Sequence, residues 1–163
     1  LYQIFKDNIK ILKVIDFLRD LILFIVIFSV ILWTLKESFK NKKVLYIFAE
    51  FILAILLSIF IVQFIKINYP HIRPISYFYP GEQLFDSFPS QHATIMSAIS
   101  IVILNNFLEW GILLYLLTVI VSLLSWISLM HWPIDIIVGL FLGFLIGSFA
   151  REFIKMFLRL NRK

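Results

Sequence analysis

The chain has 163 residues, of which 61% are hydrophobic and only 15% charged, with a mean hydropathy of +0.97. An ordinary soluble domain is ~25% charged, so this chain has too little polar surface to cover a water-soluble fold; we expect one all-α integral membrane domain over residues 1–163, a multi-pass helical bundle. The lack of cysteine excludes disulfides and thiolate metal sites, and the placement of the charges matters more than their net +5.

Residues 1–16 carry Ile4, Phe5, Ile9, Leu12 and Ile15 at helical spacing, with Lys6, Asp7, Lys10 and Lys13 between them. This pattern predicts an amphipathic helix lying in the membrane interface. No small-residue cleavage site accompanies it, so no signal peptide is expected. A first span covers residues 17–35, with Arg19 and Asp20 at its start reaching toward headgroups. After the polar loop 36–43, a second span covers residues 44–65. It holds Glu50 two turns deep, expected to pair with Lys40, Lys42 or Lys43. The stretch 66–90 is the one long break in the apolar pattern and holds four of the five prolines. Three more spans follow, over residues 91–108, 110–130 and 134–150, so the membrane core is 17–150, with about five spans. Residues 151–163 form a basic amphipathic tail. Gly139, Gly143 and Gly147 make a stripe at i, i+4, expected to let another helix of the same bundle approach closely, with a dimer face as the alternative.

Five spans place the break at 66–90 and the short break at His131–Pro133 on the same side as the first residues. All three histidines and all five prolines then share one face. The loops opposite carry nine Lys and Arg against six on this face, so the opposite side is expected to be cytoplasmic and the histidine face extracytoplasmic.

On that face Lys66 and Arg73 suit an anion presented at the bilayer surface, phosphate being the common one. Ser90 can cap the helix that follows, whose free N–H groups point at a bound anion. His92 lies in its first turn, and His131 has Asp135 four residues on. Two histidines, a carboxylate, two cations and a helix N-terminus can supply a nucleophile, an acid and an oxyanion clamp. His71, Glu82 and Asp86 read as ordinary surface residues. A zinc site built on the histidines and Asp135 competes, but Lys66 and Arg73 would repel a cation, so neither metal nor cofactor is expected.

Lys66 with six residues before Arg73-Pro74, then Pro89-Ser90-Gln91-His92, then His131 with three residues before Asp135, resembles the type-2 phosphatidic acid phosphatase superfamily of membrane lipid phosphatases. That family's signature is K-x6-R-P, P-S-x-H and S-R-x5-H-x3-D. The resemblance covers Lys66 to Gly139 and is most similar to the undecaprenyl-pyrophosphate phosphatases of bacterial envelopes. It implies metal-independent hydrolysis of a prenyl diphosphate or phosphatidate type of lipid in the cell membrane, through a phosphohistidine. The partners implied are the bilayer and the lipid phosphate, with no nucleic acid. His131 would be the nucleophile, Asp135 its orienting partner and His92 the acid. Lys66, Arg73, Ser90 and the Gln91 backbone N–H would hold the phosphate.

Two departures stand out. Where the third motif has Ser-Arg, this chain has Leu124-Ser125. A phosphate-binding cation is therefore missing, and Ser125 is expected to offer only a neutral hydrogen bond. Members of the family often have six spans, where this chain shows five and an amphipathic start. The first departure keeps open a non-catalytic lipid-phosphate binding or transport protein, and the glycine stripe keeps open an assembly protein.

Overall fold

A computed structural model describes residues 9–38, 42–79, 81 and 83–160. Its elements are α1 (Ile9–Ser38), α2 (Lys42–Asn68), α3 (Pro74–Phe78), α4 (Gln91–Leu104), α5 (Leu108–Ile127) and α6 (Pro133–Leu160). The described residues form no strand beyond one isolated bridge between His71 and Asp86.

No proline precedes Pro70 and no glycine precedes Gly81, so nothing in the sequence breaks a helix near residue 16. Accordingly α1 runs unbroken from Ile9 through the whole first expected span. This corrects the expectation of a separate interfacial helix over 1–16. Residues 1–8 lie outside the described residues, and 9–16 are the first turns of α1. Leu12 there is fully buried against Ile75, Leu129 and Met130 rather than lying in lipid.

Among the described residues, three helices are long and apolar enough to cross a membrane: Lys43–Asn68, Leu108–Ile127 and Pro133–Leu160. They match the second, fourth and fifth expected spans. α1 is free of charge from Leu21 to Leu35. The third expected span is shorter than expected: α4 has 14 residues, and Asn105 caps it. At ~1.5 Å per residue it falls short of a ~30 Å hydrocarbon core. It tolerates this because protein encloses it: residues from Ala93 to Ile103 are all buried, and α1, α2, α5 and α6 pack around them. The outer helices turn Phe24, Phe60, Phe64, Phe141 and Phe149 outward. An apolar girdle of this kind suits lipid and not water.

The glycine stripe sets the α4–α6 contact. A Cβ built on Gly139, Gly143 or Gly147 would stand 2.7, 2.3 or 2.6 Å from the carbonyl oxygen of Ser90, Thr94 or Ala98. Ser97 Oγ also donates to Leu140 O across the contact at 2.8 Å. The stripe therefore serves packing inside the bundle. At the far end Asn106 Nδ2 donates to Glu50 Oε2 at 3.1 Å, and Arg151 Nη1 donates to Asn105 Oδ1 at 2.7 Å. The partner given to Glu50 is thus an amide from the α4–α5 turn; Lys40 lies outside the described residues. Replacing Gly143 by Leu should force α4 and α6 apart and lower the thermal midpoint in detergent, with overpacking costing about 1–3 kcal/mol or more. An unchanged midpoint with lost self-association would instead make the stripe a dimer face.

Candidate active site

The chain between α2 and α4 folds back on itself. His71 N–H donates to Phe85 O, Arg73 N–H to Leu84 O, and Ser87 N–H to His71 O, each at 2.9 Å. Pro74, whose fixed φ suits the first helical position, opens α3. The turn between α5 and α6 locks onto this segment. Leu129 O accepts from Ile75 N–H at 2.8 Å, and Trp132 Nε1 donates to Ile72 O at 3.0 Å. Ser90 N–H donates to Asp135 O at 3.0 Å. Leu129 carries the turn at φ 60°, a conformation that costs a residue with a side chain about 1–3 kcal/mol. The two breaks therefore meet at one end of the bundle, as the span count requires, and bring Lys66, Arg73, Ser90, His92, His131 and Asp135 together.

His131 is 1% exposed. Its Nδ1 lies 2.7 Å from Ser87 O and 3.8 Å from Asp135 Oδ2. A carbonyl only accepts, so Nδ1 carries the proton and Nε2 keeps a lone pair. Asp135 thus lies within ion-pair reach of the ring. It also acts through a neighbour: its Oδ2 accepts from Ser87 Oγ in a short hydrogen bond and from Trp132 N–H at 2.9 Å. The carboxylate thus fixes the residue whose carbonyl fixes the imidazole. Its Oδ1 has no hydrogen bond and lies 3.9 Å from Nδ1 of the half-exposed His71. Burial pushes the His131 pKa down from 6.5 to about 4. The charges of Arg73, Lys66 and Arg19 act in the same sense, and Asp135 opposes them.

Lys66, in the last turn of α2, is buried with Nζ 3.6 Å from Asp86 Oδ2. Arg73 Nη2 donates to the same oxygen at 2.8 Å, and its Nη1 lies 3.1 Å from Met130 Sδ. Burial raises the Asp86 pKa, but Arg73 and Lys66 outweigh it and hold the carboxyl below its usual range. Asp86 is thus the counter-ion of both cations and not an ordinary surface residue. Ser90 is fully buried and caps α4, accepting from Ala93 N–H at 3.5 Å. The Gln91 and His92 amides ahead of it make no hydrogen bond among the described residues. Gln91 Oε1 accepts from Gln63 Nε2 at 2.9 Å.

His92 meets a partner absent from the sequence reading: its Nε2 lies 2.9 Å from Asp20 Oδ1. Arg19 holds that same oxygen through Nε at 3.0 Å and Nη2 at 2.7 Å. Arg19 is 4% exposed, so it turns into the bundle instead of reaching for headgroups, a correction to the expected orientation. Nothing in the spacing distinguishes this inward turn from a headgroup contact, because Arg near a helix end can snorkel outward. Ser125 is also corrected. Its hydroxyl donates to Val121 O at 2.9 Å and is fully buried, so it has no proton to offer an anion. What Ser125 supplies is its carbonyl, which accepts from His131 N–H at 3.2 Å. Ser87, Asp86, Arg19 and Asp20 are the site residues that the sequence reading missed.

The PAP2 superfamily model matches residues 47–159. Among curated proteins, "Putative undecaprenyl-diphosphatase YbjG" of Escherichia coli (strain K12) is 29% identical over 141 residues, covering 83% of this chain and 69% of that protein. The crystal structure of Aquifex aeolicus LpxE superposes with a TM-score of 0.67 over 89% of this chain and 94% of that one; at 20% identity the likeness is one of fold.

An NMR titration of His131 should show a midpoint near pH 4, not 6.5. The unfolded chain takes up the proton first, so stability should fall as pH drops from about 6.5 to about 4 and level off below. Ser87→Ala should cost about 1.5–3 kcal/mol of stability by removing a hydrogen bond to a buried carboxylate, read as a lower denaturation midpoint.

Proposed function

Because this chain is a member of the PAP2 superfamily, we propose that it is a lipid phosphatase acting through a phosphohistidine on His131. The observation that carries the reading is the His131 ring itself. It is neutral, its Nδ1–H is fixed on Ser87 O, and its Nε2 has no protein partner among the described residues. Such a ring is a poised nucleophile.

In the first step Nε2 attacks phosphorus and the bond from phosphorus to the lipid-side oxygen breaks. That oxygen leaves with its electron pair and takes a proton from His92. In the second step water attacks phosphorus, the N–P bond breaks, and His92 recovers a proton from the water. Lys66, Arg73 and the free amides of Gln91 and His92 hold the phosphoryl oxygens. Ser90 caps the helix that presents those amides.

A prenyl diphosphate is the substrate we favour, supported by similarity to the E. coli protein that carries that name. An apolar groove between α1 and α5, lined by Val26, Trp33, Leu114 and Leu117, offers a place for the tail. Its lining begins at Ile25, ~7.5 Å along α1 from Asp20, and runs away from the polar site to Trp33 and Trp110. The Lys and Arg distribution supports a site on the extracytoplasmic face of the cell membrane.

The rival reading, a binder without catalysis, rests on Ser125. One assay decides between them: phosphate release from undecaprenyl diphosphate and phosphatidic acid by purified protein with EDTA present. We expect release that survives EDTA, vanishes in His131→Ala, and leaves an acid-labile phosphoprotein on brief incubation. Release at the His131→Ala level from both lipids would favour the binder.

A further inference from the structure

The family signature calls for a cation at position 125, and α5 provides only a serine whose proton is already committed. No Lys or Arg occurs on α5. A replacement must come from another element, and α1 holds a charged group with no purpose in lipid. Around Arg19 the neighbours Phe17, Leu18 and Leu21 face outward, while Arg19 itself is buried. Two of its nitrogens are occupied: Nη2 lies 2.7 Å from both Asp16 Oδ1 and Asp20 Oδ1, and Nε is 3.0 Å from Asp20 Oδ1. Nη1 is buried and has no hydrogen-bond partner. A buried guanidinium N–H left unpaired is costly, so it calls for a partner, and a bound anion at the site can supply one.

The direction of Arg19 is set by its partners. Asp20 Oδ1 is shared between Arg19 and His92 Nε2, so the guanidinium is one carboxylate oxygen away from the histidine that would protonate the leaving group. Its charge also acts on His131 and Lys66. Arginine has five N–H donors in a rigid fork. Here Asp16 and Asp20 hold one side of the fork, which leaves the Nη1 donors oriented and free.

We propose that Arg19, on the first helix and outside the signature motifs, is the third phosphate-binding cation, its unpaired Nη1 standing in for the missing arginine at position 125. Asp16 and Asp20 aim it, and Asp20 couples it to His92. The proposal rests on the phosphatase reading of this site but makes its own prediction about phosphate affinity. A chain that carries its third cation on α1 needs α1 docked to complete the site.

The test uses the full chain in detergent with two readouts: calorimetric binding of inorganic phosphate, and hydrolysis of undecaprenyl diphosphate. Arg19→Gln should weaken phosphate binding at least 10-fold and lower kcat/KM by ~10²–10³, the usual effect of removing one oxyanion donor. Arg19→Lys keeps a charge for Asp16 and Asp20 but loses the free fork, so it should lose several-fold in both readouts while keeping the parental thermal midpoint. Methylguanidinium added to Arg19→Ala should restore part of the phosphate binding, which a purely structural defect would not allow. Parental phosphate affinity in Arg19→Gln, or a loss that methylguanidinium does not relieve, would overturn the proposal while leaving the phosphatase reading intact. Arg19-dependent phosphate binding by a protein that hydrolyses neither lipid would do the reverse. If the parental protein fails to bind phosphate at all, the proposal falls, while hydrolysis of the two lipids alone decides the phosphatase reading.

Discussion

The close approach of α6 to α4 along Gly139, Gly143 and Gly147 sets the geometry of the polar end. With Cβ positions that would sit within 2.7 Å of α4 carbonyls, the two backbones are as near as they can come. At the top of that contact Ser90 N–H reaches Asp135 O at 3.0 Å, so the helix that begins with the proposed phosphate-binding amides is tied to the helix that begins with Asp135. In lipid there is no hydrophobic drive to bring two helices together; close packing and the Ser97–Leu140 hydrogen bond must do it. A side chain anywhere on the stripe would separate His92 from His131, because one is carried on α4 and the other is held by the turn leading into α6.

On this frame the histidines are held in two different ways. His131 is fixed by a backbone carbonyl, that of Ser87, with Asp135 beside the ring at 3.8 Å and hydrogen-bonded to Ser87. The carbonyl fixes the tautomer, and burial and the surrounding cations outweigh Asp135, so the imidazole favours its neutral form. His92 is held by a carboxylate directly, at 2.9 Å, and that carboxylate is itself clamped by Arg19. The carbonyl partner leaves His131 a lone pair on its outer nitrogen, which is what a nucleophile needs.

Most of this was legible in the sequence, and the gaps share a cause. The helical class, the meeting of the two breaks and the use of the glycine stripe follow from hydropathy, span counting and i, i+4 spacing, which are properties of one helix at a time. Lys66, Arg73, Ser90, His92, His131 and Asp135 were found because they fall in spaced motifs. Arg19 and Asp20 were seen but assigned to headgroups, because a charged residue near a helix end can snorkel outward or turn inward with the same spacing. Only the packing of α1 against the bundle decides which. Ser87 escaped because its essential group is a backbone carbonyl, which no residue type encodes. The length of α4 was misjudged for a similar reason: an enclosed helix has no need to match the bilayer.

The internal carboxylates also explain how such a site can remain charged in an apolar bundle without a ligand. Lys66 and Arg73 share Asp86, and Arg19 shares Asp16 and Asp20. Unpaired, each cation would carry a desolvation cost that the fold could not easily bear. Yet Asp86 and Asp20 are about half exposed, at 51% and 54%, which keeps the pairs weak, ~1 kcal/mol or less each. In the proposed reading a phosphate group, with more charge and more acceptor oxygens than a carboxylate, takes over the donors that Asp86 holds, while Asp16 and Asp20 keep Arg19 aimed. Asp135 and Ser87, fully buried and mutually hydrogen-bonded, hold His131 throughout. The site is therefore divided by solvent exposure: Asp86 at its mouth is a half-exposed counter-ion, and Asp135 at its base is buried and hydrogen-bonded.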